Sequence, residues 1–369
     1  MAVPPALASI ESPAVATRRT PPPRSRNKAR VNIRDVAERA NVSIGTVSLA
    51  INNRPGISEK TRDQVLRVVE EMGYVPSLIG RAINRCSAGV LGVLMPVAHS
   101  PLFGSMVAGI NDESEDERKM PIFVSYSRDR AAVEARMLRI FSQMRIDGLL
   151  FAAAPDSDNI DLARELFPEH DVPVVQVERQ AVGLASDFVG SENRHAAMSQ
   201  TLRLLDAGYD GVGIVMTGHQ LSTAEERYMG WRDALRQAGL EPREDWVCWL
   251  DRDETIGSRT AFTRLLEDRG FPRAMIWCAG DTAVVPHVLN ATGRVNGQEI
   301  EVVLFDADPQ ADFAGQRFTH VEQDGYQIGR AAAKLLLQRC DEAAAGGAAA
   351  PSRREVRFPC QVFEAAEGA

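Results

Sequence analysis

The sequence lacks any uninterrupted run of 18 apolar residues, and its first residues break their apolar positions with Pro, Ser and Glu. Neither a membrane-spanning helix nor the core of a signal peptide is therefore expected. The five cysteines are an odd number at wide spacings, with no CxxC pair and no Cys/His ligand pattern. We expect reduced, buried thiols in a cytoplasmic protein.

Catalytic signatures are also missing. There is no GxxxxGK[ST], no GxSxG and no HExxH motif, and the six histidines are scattered. The segment GVGIVMTG has two glycines in the spacing of a nucleotide loop but Met216 at the position of the third. No enzymatic activity, metal or cofactor is predicted.

The composition is that of an ordinary folded protein. A chain of 369 residues with 44% hydrophobic and 25% charged residues predicts two or three domains. The net charge of −8 is unevenly distributed, because residues 1–85 hold 14 Lys and Arg against 7 Asp and Glu, and the rest holds 28 against 43. A basic first part favours a polyanion as partner, although a basic tail that only aids solubility has the same composition.

The N-terminal sequence predicts a disordered tail over residues 1–29, followed by a helical domain over 30–75. Asn32 with Asp35 predicts a capped first helix, Ser43 begins a second, and a third runs from Ser58 to Gly73. The inward residues predicted for the third helix are Val65, Leu66, Val68, Val69 and Met72. This is a helix-turn-helix arrangement, but three-helix units that bind no nucleic acid share it.

Beyond Cys86, apolar segments of strand length alternate with helical stretches of about 12 to 18 residues. The predicted strands are VLGVLMPV (90–97), PIFVSYS (121–127), DGLLFAAA (147–154), PVVQVE (173–178), GVGIVMT (211–217), AMIWCAG (274–280) and EVVLFDA (301–307). Strands that are apolar on both faces are typical of parallel βαβ layers. The predicted fold is therefore mainly α/β, an all-α helix-turn-helix domain followed by two doubly wound parallel-sheet subdomains, with a cleft at the carboxyl ends of their strands.

Several motifs occur in a fixed order along the chain. Between residues 31 and 83 they are D-V-A, A-x-V-S-x-x-T-V-S, I-N, S-x-x-T-R and Y-x-P, and the later segments are GVLMP, SPLFGSMVAGI, RIDGLLF, ERYMGWRDAL, GDTAV, VVLFDA and FTHVEQDGYQIGRAAAKLLL. In these motifs the sequence resembles the LacI/GalR family of bacterial transcriptional repressors. The resemblance implies a periplasmic-binding-protein-like core and cytoplasmic, nucleoid-associated action on a DNA operator.

Domain boundaries follow from the resemblance combined with the periodicity. They are a disordered tail (1–29), a helix-turn-helix domain (30–75), a hinge (76–87) and a core (88–369). Within the core, the N-subdomain is assigned to about 88–190 plus 323–340 and the C-subdomain to about 191–319 plus 353–369. REVRFPCQVF near the end is predicted as one strand, and no heptads follow it, so a homodimer is expected.

The second helix is the major-groove helix that the resemblance implies, with Ile44, Gly45 and Leu49 at the base-reading positions. Apolar side chains can contact thymine methyl groups, and Gly45 permits close approach of the backbone. The alternative is that Leu49 belongs to the core of its own domain. Phosphate or other DNA contacts are assigned to Ser43, Thr46, Ser48, Asn52 and Ser77.

The hinge is predicted to be a second DNA-contacting element. Pro76 suits the first turn of a short helix, Gly80 weakens that helix, and we expect it to fold only on DNA. In the family, a hinge side chain enters the minor groove, and the matching residue is Ile83. An ordinary linker is the alternative.

The resemblance also assigns effector-binding residues. They are Phe103, Thr223, Arg227, Asp281, Asp306 and Gln323. Each alone has a plain alternative: Arg227 could pair with Glu225 on a helix surface, and Asp306 could cap the next helix.

A sugar or sugar derivative is the expected effector. Gly280 stands where the family usually has Asn, so an acidic, phosphorylated or nucleobase-like ligand is the alternative. Ligand closure of the cleft is expected to disfavour the hinge helix, while corepression or activation is left open. A transport receptor with the same core would need a signal peptide and no DNA-binding domain.

Overall fold

The computed structural model describes residues 31–51, 54–74, 89–155, 158–168, 171–181, 183–218, 220–250, 255–279, 282–306, 316–345 and 352–365. Two compact units are separated between Ser77 and Leu78. We call the first unit the head and the second the core. Among the helices of these residues, none is both long and apolar enough to cross a membrane.

The head contains helices α1 (Ile33–Ala40), α2 (Ile44–Ile51) and α3 (Glu59–Glu71). The predicted capping box is confirmed, since the Asn32 side chain accepts from Asp35 N while the Asp35 carboxylate accepts from Asn32 N. Ser58 caps α3 by accepting from Thr61 N, and Gly73 follows that helix at φ +59. The three helices bury one small cluster formed by Val36, Ala37, Ala40, Val47, Ala50 and Val65.

The inward prediction for Leu66 is wrong, because this side chain is 41% exposed. One residue beyond buried Val65, it is rotated about 100° around α3 and faces solvent.

The core contains two six-stranded sheets. The strands are β1 (Leu91–Met95), β2 (Ile122–Tyr126), β3 (Gly148–Phe151), β4 (Val174–Val177), β5 (Asp187–Ser191), β6 (Val212–Thr217), β7 (Val247–Leu250), β8 (Ala274–Cys278), β9 (Glu301–Phe305), β10 (Thr319–Glu322), β11 (Glu355–Phe358) and β12 (Gln361–Phe363). Sheet 1 has the order β11-β5-β4-β3-β1-β2, and sheet 2 has the order β12-β10-β9-β8-β6-β7. All neighbouring pairs are parallel except β10 with β12, which confirms the predicted fold class.

Helices cover both faces of each sheet. They are α4 (Pro101–Arg118), α5 (Ala131–Met144), α6 (Ile160–Leu166), α7 (Asn193–Asp206), α8 (Ser222–Gln237), α9 (Thr255–Glu267), α10 (Val284–Thr292) and α11 (Gly325–Ala344). In β1, Leu91 and Val93 pack in the cluster that contains α4 and α11, whereas Leu94 packs with α5 and α6. Burial on alternate faces explains why the parallel strands read as unbroken apolar runs.

All seven strands predicted from apolar runs are present. The predicted single strand over REVRFPCQVF is wrong, and so is its assignment as a whole to the C-subdomain. Its first half, β11, pairs with β5 in sheet 1, and only β12 joins sheet 2. Pro359 lies between them and has no N–H for a continuous ladder, so the chain leaves one sheet and enters the other.

The chain crosses between the sheets in three places. It passes from β5 to α7 at residues 191–193, from β10 to α11 at 322–325, and from β11 to β12 at 358–361. Because the strands are parallel, their carboxyl ends lie beside these crossing segments, which is where open α/β sheets bind ligands.

Candidate functional site

The amino end of α2 carries the candidate DNA contacts of the head. Thr46 N donates to Ser43 Oγ at 3.1 Å, and the two hydroxyl oxygens of Ser43 and Thr46 are 2.9 Å apart. Ser43 thus caps α2 as predicted. Ile44 is 44% exposed, and Gly45 beside it is also exposed. The result is an exposed helix end with hydroxyl groups, early N–H groups and one apolar side chain.

The other predicted DNA contacts have different surroundings. Leu49 is half-buried and does not belong to the head cluster, although its Cδ1 lies close to Gly56. Ser48 is half-buried on the same helix. Asn52, Ser77 and Ile83, together with the hinge over 76–87, lie outside the described residues.

In the core, Arg227 on α8 is the centre of a buried polar network. Its Nε donates to Asn193 Oδ1 at 2.8 Å, and its Nη2 donates to Asp306 Oδ2 and to Gln323 Oε1, both at 3.1 Å. The guanidinium also lies 4.4 Å from the ring centroid of Phe305. Three of the predicted effector residues, Arg227, Asp306 and Gln323, are therefore in direct contact.

Glu178 is the second centre of this network. Its carboxylate accepts from Ser191 N and Ser191 Oγ, each at 2.9 Å, from Asn193 Nδ2 at 2.8 Å and from Gln323 Nε2. Burial raises the pKa of Glu178 above its ordinary value, although the donors and the charge of Arg227 act in the opposite direction. Glu178 follows β4 with φ +56, a strained conformation for a residue with a side chain.

The network joins two of the three crossing segments. Ser191 and Asn193 belong to the first crossing, Gln323 belongs to the second, and Gln323 Nε2 also donates to Ser191 Oγ at 2.7 Å. Arg357 of β11 reaches across from sheet 1 to Glu226 on α8, with Nη2 and Oε1 2.8 Å apart. A ligand that alters the contacts of Arg227 would therefore disturb residues of both of these crossing segments.

Burial acts to lower the pKa of Arg227, but the Asp306 carboxylate beside it raises that pKa above its ordinary value, so the guanidinium stays charged. Burial also raises the pKa of the Cys278 and Cys360 thiols to about 12, and both thiols lie near this charge. Both thiols are therefore protonated at neutral pH.

The remaining predicted effector residues lie around this network. Thr223 is buried on α8, one helical turn before Arg227. Phe103 is buried on α4, and the Arg179 guanidinium lies 5.2 Å from its ring centroid. Arg179 in turn pairs with Asp129 at 2.5 Å. Asp281 lies outside the described residues, as does Gly280.

Glu178, Ser191, Asn193 and Arg179 were missed by sequence reasoning. Glu178 is the last residue of the predicted strand PVVQVE, and Arg179 follows it directly. A charged pair at the end of a buried strand was the available signal. Ser191 ends β5, a strand that the apolar pattern did not reveal, and Asn193 begins α7 after it. Among the described residues, no group of three His, Cys, Asp or Glu side chains could hold a metal ion.

Comparisons with known proteins agree with this geometry. Residues 32–77 match the family model of bacterial regulatory proteins of the lacI family. Residues 88–365 match the model of periplasmic binding proteins and the sugar binding domain of the LacI family.

Similar curated proteins include the HTH-type transcriptional regulator GalR of Escherichia coli (strain K12), 27% identical over 315 residues, which are 84% of this chain and 89% of GalR. They also include the ribose operon repressor of Haemophilus influenzae, 24% identical over 308 residues, which are 83% of this chain and 91% of the repressor. Both are transcriptional regulators, not enzymes.

Among solved structures, the Lac repressor dimer bound to operator and the anti-inducer ONPF matches 91% of this chain and 98% of its own, with a TM-score of 0.75 and 19% identity. The complex of the transcriptional regulator CelR with cellobiose matches 92% of this chain and 100% of its own, with a TM-score of 0.65 and 23% identity. These likenesses show the fold. Since the two family models together match most of the chain, the protein belongs to the LacI family of DNA-binding transcriptional regulators with an effector-binding core.

Proposed function

We propose that this regulator is a repressor that binds a palindromic operator as a homodimer and leaves it when an uncharged sugar or sugar derivative binds between the two sheets. The operator part is supported by the exposed amino end of α2, with Ser43 and Thr46 as phosphate contacts and Ile44 and Leu49 as contacts to thymine methyl groups. The dimer is inferred from the relatives, one of which is a repressor dimer on its operator.

The observation that carries the effector part is the charge pairing of the cleft. Arg227 already faces Asp306, Arg179 already faces Asp129, and Glu178 adds a further buried carboxyl group. A phosphate or carboxylate would have to compete with these acids for the same guanidinium groups. Sugar hydroxyls suit the site because each can donate to Asp306 and accept from Arg227 in place of their mutual contact.

The effector is proposed to act through the crossing segments and the hinge. The hinge over 76–87, with Ile83 as its minor-groove residue, and the domain limits at about 30–75 and 88–369 are part of this proposal. A closed, ligand-bound cleft would disfavour the hinge helix and lower operator affinity.

The test begins by selecting duplexes from a random-sequence pool with the full-length protein. Release of the selected duplex is then measured by fluorescence anisotropy in the presence of neutral mono- and disaccharides and of their phosphorylated forms. We expect release by a neutral sugar and loss of that release in Arg227→Lys, which keeps the charge but not the planar set of donors.

The two halves of the proposal fail in different ways. Release by phosphorylated sugars alone would overturn the uncharged effector. Failure of any duplex to enrich, or an unchanged sequence preference in both Ile44→Ala and Leu49→Ala, would overturn the assignment of α2 as the base-reading helix.

A further inference from the structure

The carboxyl end of α2 has little support from its own sequence. The helix has eight residues, none of them basic, so its last turn offers no cation to the helix dipole. The final carbonyl groups of any helix have no partner within that helix. A helix of two turns is marginal in water, so the groups that hold this end determine how firmly α2 is oriented.

Arg62 on α3 supplies those partners. Its Nη1 donates to Leu49 O at 3.2 Å and to Ala50 O at 3.4 Å, and its Nη2 donates to Arg54 O at 2.7 Å. Arg54 N donates to Leu49 O at 3.0 Å, so the same guanidinium holds the helix end and the backbone of Arg54. A planar guanidinium can bind several carbonyl groups at once, which a lysine ammonium on a flexible stem does less rigidly.

The first turns of α3 hold α1 in a similar way. Gln64 Nε2 donates to Ala40 O, the last residue of α1, at 3.0 Å. Two side chains of α3 thus fix the carboxyl ends of both preceding helices. Of these, Arg62 acts on the helix that bears Leu49.

We infer that Arg62 is a positioning residue for sequence reading: its guanidinium fixes the carboxyl end of α2 and so the placement of Leu49 against the bases. The inference rests on the proposed role of α2 as the base-reading helix. It assigns Arg62 a function inside the head, where an arginine of a DNA-binding domain would ordinarily be taken as a phosphate contact.

The test compares Arg62→Ala and Arg62→Lys with the matched control Arg67→Ala in the full-length protein. Arg67 lies on the same helix, is exposed, and donates through Nε to Asp63 O of that helix at 3.3 Å. Affinities for a duplex selected by the wild type and for a scrambled duplex are measured at several salt concentrations. Amide hydrogen exchange is followed separately in α1, α2 and α3.

For Arg62→Ala we expect affinity for the selected duplex to fall about tenfold or more, with little change for the scrambled duplex. The slope of log affinity against log salt should stay at the wild-type value, and exchange should accelerate in the last turn of α2. The affinity of Arg62→Lys for the selected duplex should lie between those of the wild type and Arg62→Ala. Arg67→Ala should keep the preference for the selected duplex.

Three results would overturn the inference. A salt slope smaller by about 0.9 with unchanged exchange in α2 would make Arg62 a phosphate contact. Faster exchange throughout the head in both Arg62 variants would make its role one of general stability. An unchanged preference would remove the role altogether, and if Ile44→Ala and Leu49→Ala still altered the preference, the proposed function of α2 would stand without it.

Discussion

Glu178 is a carboxyl group held at the meeting point of two crossing segments. Both of its oxygens accept hydrogen bonds, and the group is almost inaccessible to water. Burial favours the neutral acid, whereas the donors and Arg227 favour the carboxylate. Because burial is the larger effect, the pKa of Glu178 is raised, and the stability of the core becomes coupled to protonation at this residue.

The direction of this pH dependence follows from linkage. The folded protein holds the Glu178 proton more tightly than the unfolded chain, so the stability that this group contributes is fully present below its ordinary pKa of 4.5 and is lost as pH rises through the raised folded value. Urea unfolding of wild type and Glu178→Gln from about pH 5 to about pH 8 measures this loss. We expect the wild type to lose stability relative to the variant as pH rises. A constant difference over that range would contradict the prediction.

At the scale of the element, α2 combines an exposed amino end with a carboxyl end fixed by α3. Gly45 lies in its first turn, and a Cβ built there would meet only Ser43 Oγ, at the ordinary distance of 3.6 Å. The head itself therefore does not require glycine at this position, whereas the proposed role of α2 would require the backbone here to approach DNA closely.

Gly45→Ala separates helix stability from DNA binding. Alanine in a helix is favoured over glycine by up to about 1 kcal/mol, so the free energy of unfolding of the head should rise slightly. Operator affinity should nevertheless fall, because the added methyl group would lie between the backbone and the groove. Thermal unfolding and anisotropy on a selected duplex measure the two effects.

Gly104→Ala is the matched control, since a Cβ at this position of α4 meets nothing within 4 Å. It should leave DNA binding unchanged. If Gly45→Ala bound the duplex as well as the wild type, the backbone would not approach the groove at this residue.

Elements with a local signal could be predicted from the sequence. Asn32, Ser43 and Ser58 mark helix starts by their capping hydrogen bonds, and the central strands of each sheet are apolar because both of their faces are buried. β5, β7, β10 and the two tail strands were not predicted as they are. Most of these strands carry polar residues, such as Asp187 and Ser191 of β5, and the places of the tail strands depend on pairing between distant parts of the chain.

The same distinction applies to the site. Arg227, Asp306 and Gln323 were predicted by resemblance, and each lies at or after a recognisable element. The role of Glu178 depends on Ser191, Asn193 and Gln323 arriving from two different crossings, which no local pattern encodes. The role of Arg62 was not predicted for a similar reason, because its acceptors belong to α2 and to Arg54, eight or more positions earlier in the sequence.

At the scale of the whole molecule, the two sheets of the core are linked by three crossing segments and by side chains between them. Arg357 of sheet 1 contacts Glu226 of α8 and also donates to Ser191 O at 3.0 Å. Gln180 N donates to Ser222 Oγ at 2.9 Å, a second contact from one side to the other. We expect these links to couple the unfolding of the two sheets.

A double-mutant cycle on Arg357→Ala and Glu226→Ala measures this coupling. Both side chains are less than a third exposed, and we expect a coupling of about 1 kcal/mol in the free energy of unfolding. The exposed pair of Arg243 and Asp245, within one part of the core, is the control and should show no measurable coupling. Additive effects of the Arg357 and Glu226 substitutions would show that this pair does not join the two sheets.

The placement of β11 has a consequence for how the protein is made. Its approach to β5 brings Arg354 N to the Asp187 carboxylate across 167 positions of sequence. A growing chain on the ribosome therefore holds most of sheet 1 long before its outer strand exists, and β5 presents an open edge throughout that interval. We therefore expect nascent or prematurely terminated chains that end before residue 355 to be prone to strand-to-strand aggregation and to capture by chaperones.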